Sequence, residues 1–354
     1  MSDWTTPGDQ KRIILATVQS ASGKDFLGQL SGGPHLVLIA DEVHRLGAPR
    51  SRQLLNDRTF GARLGLSATP ERYGDPDGTT LLLDFFAGIL QPVYTLADAI
   101  RDKVLTPYFY RAHAIQLDAD EVDVWHQLTA EVARLNARIR ANDKTPGLAQ
   151  RLQRKFIQRA RIIKQARAKV GLAVKVLQEH YKPGQRWLIY CDDGDQLRGV
   201  TVTLDASGFR AIPYHSDMVG DRIETLRWFA KRGGILTAIK CLDEGVDIPS
   251  VTHALILASS KNPREFVQRR GRVLRKSPGK ALAFIHDAIV LPPRAGLPDE
   301  DRVERDDPFT SGELARAVEF ATHADNPASA TDLQQIALRA GLDWRRLSRL
   351  GVKK

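Results

Sequence analysis

The chain has 354 residues, is 42% hydrophobic and carries a formal net charge of +10. No apolar run approaches the roughly 18–20 residues of a membrane span, and the opening MSDWTTPGDQKR lacks the basic head and apolar stretch of a secretory signal. The two cysteines, Cys191 and Cys241, have no CxxC or CxxH neighbour, which argues against a zinc site or a disulfide framework and for a reducing cytoplasm, while the basic balance favours a polyanionic partner, nucleic acid first.

The length suits two domains plus appendages. In chain order, apolar strands are expected at 12–16, 36–40 and 63–66, and again at 187–191, 234–239, 252–257 and 280–286. Amphipathic stretches such as 217–232 separate the later ones. Near-continuous apolar strands spaced by helices read as parallel α/β sheets, hence two lobes. Between them, 122–181 reads as helices broken at 143–147, with Leu152, Phe156, Ala160, Ile163, Ala166 and Val170 on one face. Arg151, Arg154, Lys155, Arg159, Arg161, Lys164, Arg167 and Lys169 occupy the other faces. They form either a solvated face of a linker hairpin or a phosphate-contacting stripe, with Arg154 and Arg161 as its representatives. A polar connector from Pro292 to Pro308 leads to a helical tail, with a capping box expected at Thr310–Glu313 and a stop at Gly341.

The first apolar strand with chemistry at its end runs into Asp41-Glu42-Val43-His44. Two carboxylates at the carboxyl end of a parallel strand stand where open α/β sheets bind ligands. One can hold magnesium and the next can polarise a water, although solvated carboxylates at a strand end give the same tetrapeptide. The next strand ends in Ser67-Ala68-Thr69-Pro70, whose two hydroxyls point the same way on extended backbone. The segment 236–249 leads an apolar strand into a turn with Glu244, Gly245 and Asp247, where Lys240 can reach a phosphate. In 262–275, Asn262, Pro263 and Glu265 start a helix. If that helix continues, Gln268, Arg272 and Arg275 share a face. Two guanidiniums and an amide on a rigid helix suit the charge of a transferring phosphoryl group.

DEVH, LGLSATP, CLDEGVDIP and QRRGRVLR resemble, in order, motifs II, III, V and VI of the superfamily 2 helicases, and 187–192 resembles motif IV. The segment 95–107 resembles the lobe-crossing segment of the type III restriction and excision-repair branch. The resemblance implies an α/β fold of two RecA-like parallel-sheet lobes, the first incomplete, joined by a helical linker and followed by a helical tail. The expected boundaries are 1–109, 110–182, 183–291 and 292–354. It further implies an ATP-dependent DNA helicase or translocase with ATP and magnesium as cofactors. Asp41 would hold the ion, Glu42 would act as base, and His44, Ser67 and Thr69 would couple hydrolysis to movement. Gly245 and Asp247 would form an interlobe sensor. Gln268, Arg272 and Arg275 would meet the γ-phosphate. DNA is the expected partner ahead of RNA, in restriction or phage defence, with a nuclease or methyltransferase as a possible companion.

The chain departs from the family chiefly in that it contains no GxxxxGK[ST]. Ser20–Asp25 lacks the leading glycine, carries Asp25 in place of the magnesium-binding hydroxyl and lies close to Asp41. Ile239 also stands where many relatives have threonine. The expectation is a chain truncated before the phosphate loop and inactive alone. The alternatives are a second polypeptide that supplies the loop, or an inactive nucleic-acid-binding or assembly subunit.

Overall fold

The computed structural model describes residues 2–56, 60–72, 75–239, 251–257, 270–291, 308–339 and 344–345. They fall into two compact units, one ending at Thr95 and one beginning at Leu96. Both belong to the α/β class with parallel sheets, as the sequence predicts. No helix among the described residues is long and apolar enough to cross a membrane.

In the first unit, β1 (Gly33–Ala40) and β2 (Phe60–Gly65) pair in parallel, with Ile39 opposite Leu64 and Ala40 opposite Gly65. Helix α1 (Pro76–Phe85) starts on Asp75, whose carboxylate caps the Gly78 N–H, with Pro76 in the first turn. It lays Leu82 and Phe85 against Val43, Leu46, Leu54 and Leu55, and Leu38 and Ala40 of β1 join this core. Side chains alternate across a strand, so Val37 and Ile39 point the other way and are 63% and 64% exposed. Each forgoes about 1.5–3 kcal/mol of burial. The apolar run predicted a strand covered on both faces; among the described residues one face is covered. The expected strand at 12–16 is irregular, with Ile13 and Leu15 exposed. An extended segment becomes a strand only by pairing, and no described strand pairs with it.

The second unit holds β3 (Tyr108–Gln116), β4 (Arg186–Tyr190), β5 (Ala211–Tyr214), β6 (Gly234–Ala238), β7 (His253–Ile256) and β8 (Ala283–Leu291). They form a six-stranded sheet of order β3-β8-β7-β4-β6-β5 with every pair parallel. After α2 (Leu96–Arg101) and β3 come α3 (Ala119–Arg140), α4 (Leu148–Lys164) and α5 (Ala168–His180), then α6 (Gly194–Ala206) and α7 (Arg222–Arg232). A capping box starts α3, with Asp118 and Glu121 each holding the other's backbone N–H. Ala173, Val176 and Leu177 of α5 share a core with Trp187, Ile189, Val200, Ile235 and Leu255.

Two findings shift the expected boundaries. Strand β3 runs through the expected 109/110 division and pairs with β8 along its whole length. Helix α5, inside the expected linker 110–182, is part of the sheet's core. The linker composition is basic overall, but β3 and α5 carry enough apolar surface to be drawn onto the sheet.

The tail is not an appendage either. Helix α8 (Pro308–Thr322) packs on β3 and β8, and α9 (Ala328–Arg339) packs on α8 and β3. Because α8 begins at Pro308, Thr310 lies inside its first turn, and Glu313 turns to Arg316 at 3.1 Å instead of completing a cap. Arg316 also grips Asp287 of β8 through both carboxylate oxygens, at 3.0 and 2.9 Å. Tyr110 donates to the same carboxylate at 3.0 Å. At the outer edge of β3, the Asn326 side chain accepts from the Tyr110 N–H and donates to its carbonyl, at 2.8 and 2.9 Å. On the other face, Phe109, Phe284, His253 and Trp187 stand in register across four strands with successive rings 5.6, 4.7 and 4.6 Å apart.

Candidate active site

The site residues of the first unit are fixed by how β1 and β2 end. Leu66 donates its N–H to the Ala40 carbonyl at 2.8 Å, and Val43 donates to the Leu66 carbonyl at 3.0 Å. This pairing continues past both strands and pulls the chain round at Asp41-Glu42. Glu42 takes the left-handed conformation, φ 46 and ψ 47, which costs a non-glycine residue about 1–3 kcal/mol and persists only where its surroundings over-determine it. Its N–H is held by Asp41 Oδ1 at 2.9 Å. Strain at this position is an observation that itself points to function.

His44 follows on a short 3₁₀ turn and is 5% exposed. Its Nδ1 lies 3.3 Å from the Glu42 carboxylate and 3.3 Å from the Ser67 hydroxyl. Ser67 Oγ accepts the Thr69 N–H at 3.2 Å, and Thr69 is buried. One imidazole therefore joins the turn after β1 to the turn after β2. The sequence grouped the two hydroxyls with His44; the structure adds that the Ser67 hydroxyl meets its Nδ1.

Behind this turn stands a cluster that sequence reasoning missed. Arg72 donates to the His44 carbonyl and to Asp75 at 2.8 Å. Arg52 donates to both Asp75 oxygens, at 2.9 and 3.1 Å, and to the Gly47 carbonyl at 2.8 Å. The Arg72 guanidinium, the Gly78 N–H and the Arg52 guanidinium hold the Asp75 carboxyl down at about 2. A Cβ on Gly47 would fall 2.5 Å from Arg72 Cδ and 2.8 Å from the Gly78 carbonyl, so only glycine lets α1 and the His44 turn approach this closely. The available signal was an arginine two residues beyond Pro70.

In the second unit, residues 270–274 form a helical turn. Val273 and Leu274 are buried, Arg272 is half-buried and Arg275 is exposed. The helix does not continue to Arg275 as the shared-face argument required. Instead Arg275 pairs with Leu105 in an antiparallel bridge, and Thr106 donates its N–H to the Leu274 carbonyl at 2.8 Å. The segment after α2 has taken over the backbone groups that a further turn would have used. A Cβ on Gly271 would meet nothing within 4 Å among the described residues. Gln268, Lys240, Gly245 and Asp247 lie outside the described residues.

The basic stripe of 151–169 is largely committed within the fold. Lys155 pairs with Glu131 at 2.6 Å, Lys164 with Asp192 at 3.3 Å, and Arg167 with Asp118 and Asp120 at 2.6 and 3.0 Å. Arg161 reaches Asp193 at 4.0 Å. Arg159 is buried over the rings of Trp125 and Phe156. Lys169 is fully buried and donates to the carbonyls of Lys164 and Leu257 at 2.9 and 2.7 Å. Arg151 and Arg154 are exposed and have no ion pair among the described residues.

No group of three or more His, Cys, Asp or Glu side chains among the described residues is placed to hold a metal on its own. Asp41 is exposed and keeps one carboxylate oxygen without a hydrogen bond among those residues. A single open carboxylate suits magnesium, which retains most of its waters and completes its shell with phosphate oxygens.

The family description "Type III restriction enzyme, res subunit" matches residues 4–72, and "Helicase conserved C-terminal domain" matches 168–277. The chain belongs to the superfamily 2 helicases. Within them it falls in the branch of type III restriction subunits and XPB-like proteins. The first match spans DEVH and SATP and ends at Arg72; the second begins at α5 and closes just past Arg275. Among curated helicase relatives, the DNA 3'-5' translocase XPB2 of Sulfurisphaera tokodaii is 27% identical over 294 residues, covering 77% of this chain and 62% of its own length. The DEAD-box ATP-dependent RNA helicase 50 of Oryza sativa subsp. japonica is 27% identical over 127 residues, 33% of this chain and 20% of the relative. The chain thus spans less than two thirds of either relative. The structure of the ATP-dependent Type ISP restriction-modification enzyme LlaBIII bound to DNA superposes with a TM-score of 0.52 at 15% identity, covering 85% of this chain and 22% of that one. That likeness supports the helicase fold.

Proposed function

We propose that the chain is the larger part of an ATP-dependent DNA helicase or translocase motor. The observation that carries this reading is the His44 joint, which links a strained carboxylate turn to the SAT turn within one family-matched unit. When bound, ATP with magnesium supplies the phosphoryl group and the charge that offsets its oxygens. Asp41 would hold the ion. Glu42 takes the proton of the attacking water, and His44 steadies its carboxylate. A shift of His44 reaches Ser67 and, through the Thr69 N–H, the backbone beyond β2. Arg272, Arg275 and Gln268 would meet the charge of the γ-phosphate, and the 240–247 segment with Lys240, Gly245 and Asp247 would sense nucleotide and nucleic acid. The net charge of +10 and the XPB-like relative support nucleic acid as partner, with DNA ahead of RNA. The res-subunit match supports a place in restriction or phage defence, with nuclease or methyltransferase chemistry on another polypeptide.

The test is magnesium-ATP turnover with and without DNA, by this chain and by the chain joined to an upstream segment carrying GxxxxGK[ST]. Alone, the chain should turn over negligibly; joined, it should show DNA-stimulated hydrolysis. In the joined protein, Glu42→Gln should lower kcat by about 10²–10⁴ and Arg272→Ala by about 10³–10⁵. Robust turnover by the chain alone, or none after joining, rejects the proposal. The outward apolar face of Val37, Ile39 and Leu64 favours a second reading, a binding or assembly subunit. It requires salt-sensitive DNA binding that ATP leaves unchanged.

A further inference from the structure

The helical turn that carries Arg272 also carries Arg270, whose side chain is 5% exposed. Burial of that position needs no charge, because Val273 and Leu274 in the same turn are buried as apolar side chains. A guanidinium placed there is costly to desolvate unless a carboxylate meets it. Glu319 of α8 does so at 3.0 Å and is itself 16% exposed. It is the one carboxylate among the described residues within ion-pair reach of Arg270. The guanidinium also lies 5.1 Å above the Phe320 ring.

Helix α8 is a firm base for such a contact. One turn before Glu319, Arg316 is bound bidentately to Asp287 of β8. One residue after Glu319, the Phe320 carbonyl accepts the Tyr108 hydroxyl of β3 at 2.8 Å. The backbone of 273–275 is tied separately. Thr106 holds the Leu274 carbonyl at 2.8 Å, and Lys280 donates to the Val273 and Arg275 carbonyls. An apolar contact lets a helical turn roll about its axis; a directed ion pair at Arg270 and backbone hydrogen bonds at Val273, Leu274 and Arg275 do not. We infer that Glu319, acting through Arg270, is a positioning residue that sets the angle at which the 270–274 turn presents Arg272. This rests on the proposed role of Arg272 at the γ-phosphate. It makes the C-terminal tail part of the motor's catalytic geometry.

The test has two arms. In the full chain, hydrogen–deuterium exchange of the 271–275 amides should quicken at least about tenfold in Glu319→Gln, while the amides of β4 and β6 stay within about twofold. Arg270→Met, which keeps contact with Phe320, should do the same and serves if Glu319→Gln does not fold. The double variant should exchange no faster than the faster single one, because the two side chains act as a pair. Effects that multiply, or that spread equally into β4 and β6, overturn the inference. In the chain joined to a phosphate-loop segment, Glu319→Gln should lower kcat by about tenfold to a hundredfold. The KM for ATP should change by less than about threefold, and Glu319→Asp should restore most of the rate. If the joined parent turns over ATP and Glu319→Gln leaves kcat unchanged, the positioning role is wrong. If the joined parent is inactive, the functional reading fails and the exchange arm alone decides the pairing.

Discussion

Among the described residues, the first unit holds its parallel strands as a single pair, with Val37, Ile39 and Leu64 facing outward. The second holds six strands, buries Trp187, Leu188, Ile189 and Tyr190 on both faces of β4, and closes the outer edge of β3 with Asn326. Both nevertheless shape their family motifs in the same way. A backbone bond made outside the strands fixes the turn: Val43 to Leu66, just past β1 and β2, in the first unit, and Thr106, just before β3, to Leu274 in the second. Motif geometry therefore needs only a local strand or turn partner, whereas a closed core needs the whole sheet.

Four measurements can break or sharpen that contrast. Acid should act most strongly, and on the second unit. Burial first, then neighbouring cations and imidazoles, push His113 and His253 down to about 4 and His286 to about 2. The folded values lie below the ordinary 6.5, so the unfolded chain takes up protons first as pH falls. Stability present above pH 6.5 should drop from there to about 4, with His286 extending the loss lower. A calorimetric midpoint that stays flat from pH 7 to 4.5 would contradict this.

Next in size, Arg316→Met strands the buried carboxylates of Asp287 and Glu313 and should cost about 3–5 kcal/mol in urea unfolding. A loss below about 1 kcal/mol would mean that the tail does not stabilise the sheet. Asn326→Ala leaves the Tyr110 N–H and carbonyl without their partner and should cost about 1–3 kcal/mol, read in the same titration. Smallest, Ile39→Thr on the outward face of β1 should shift stability by no more than about 0.5 kcal/mol. It should also raise the concentration at which the chain stays monomeric in light scattering. A large destabilisation would show that this face is covered.

The strands leading into motifs were legible because each is an apolar run ending in chemistry: 36–40 before DEVH and 234–239 before the sensor segment. Two strands were not. In β3, Arg111 and His113 interrupt the apolar pattern; Arg111 stays exposed, and His113 fits by stacking on His286. In β5, Pro213 argues against a strand, yet β5 is at the sheet edge, where a missing N–H is tolerated. The basic stripe misled in another way. Charge along 151–169 is visible in sequence, but the carboxylates that meet it come from α3 and from the turn before α6. Likewise Arg72 and Glu319 gain their meaning only from partners brought near by folding.

Asn326 closes the β3 edge with a side-chain amide, and the residue after it is Pro327. Asparagine ages chiefly when the next backbone nitrogen attacks that amide to form a cyclic imide, a route that needs the nitrogen's proton. Proline has none to give. The group that caps the sheet is thereby shielded from the spontaneous loss of ammonia that would turn its donor into a second acceptor facing the Tyr110 carbonyl.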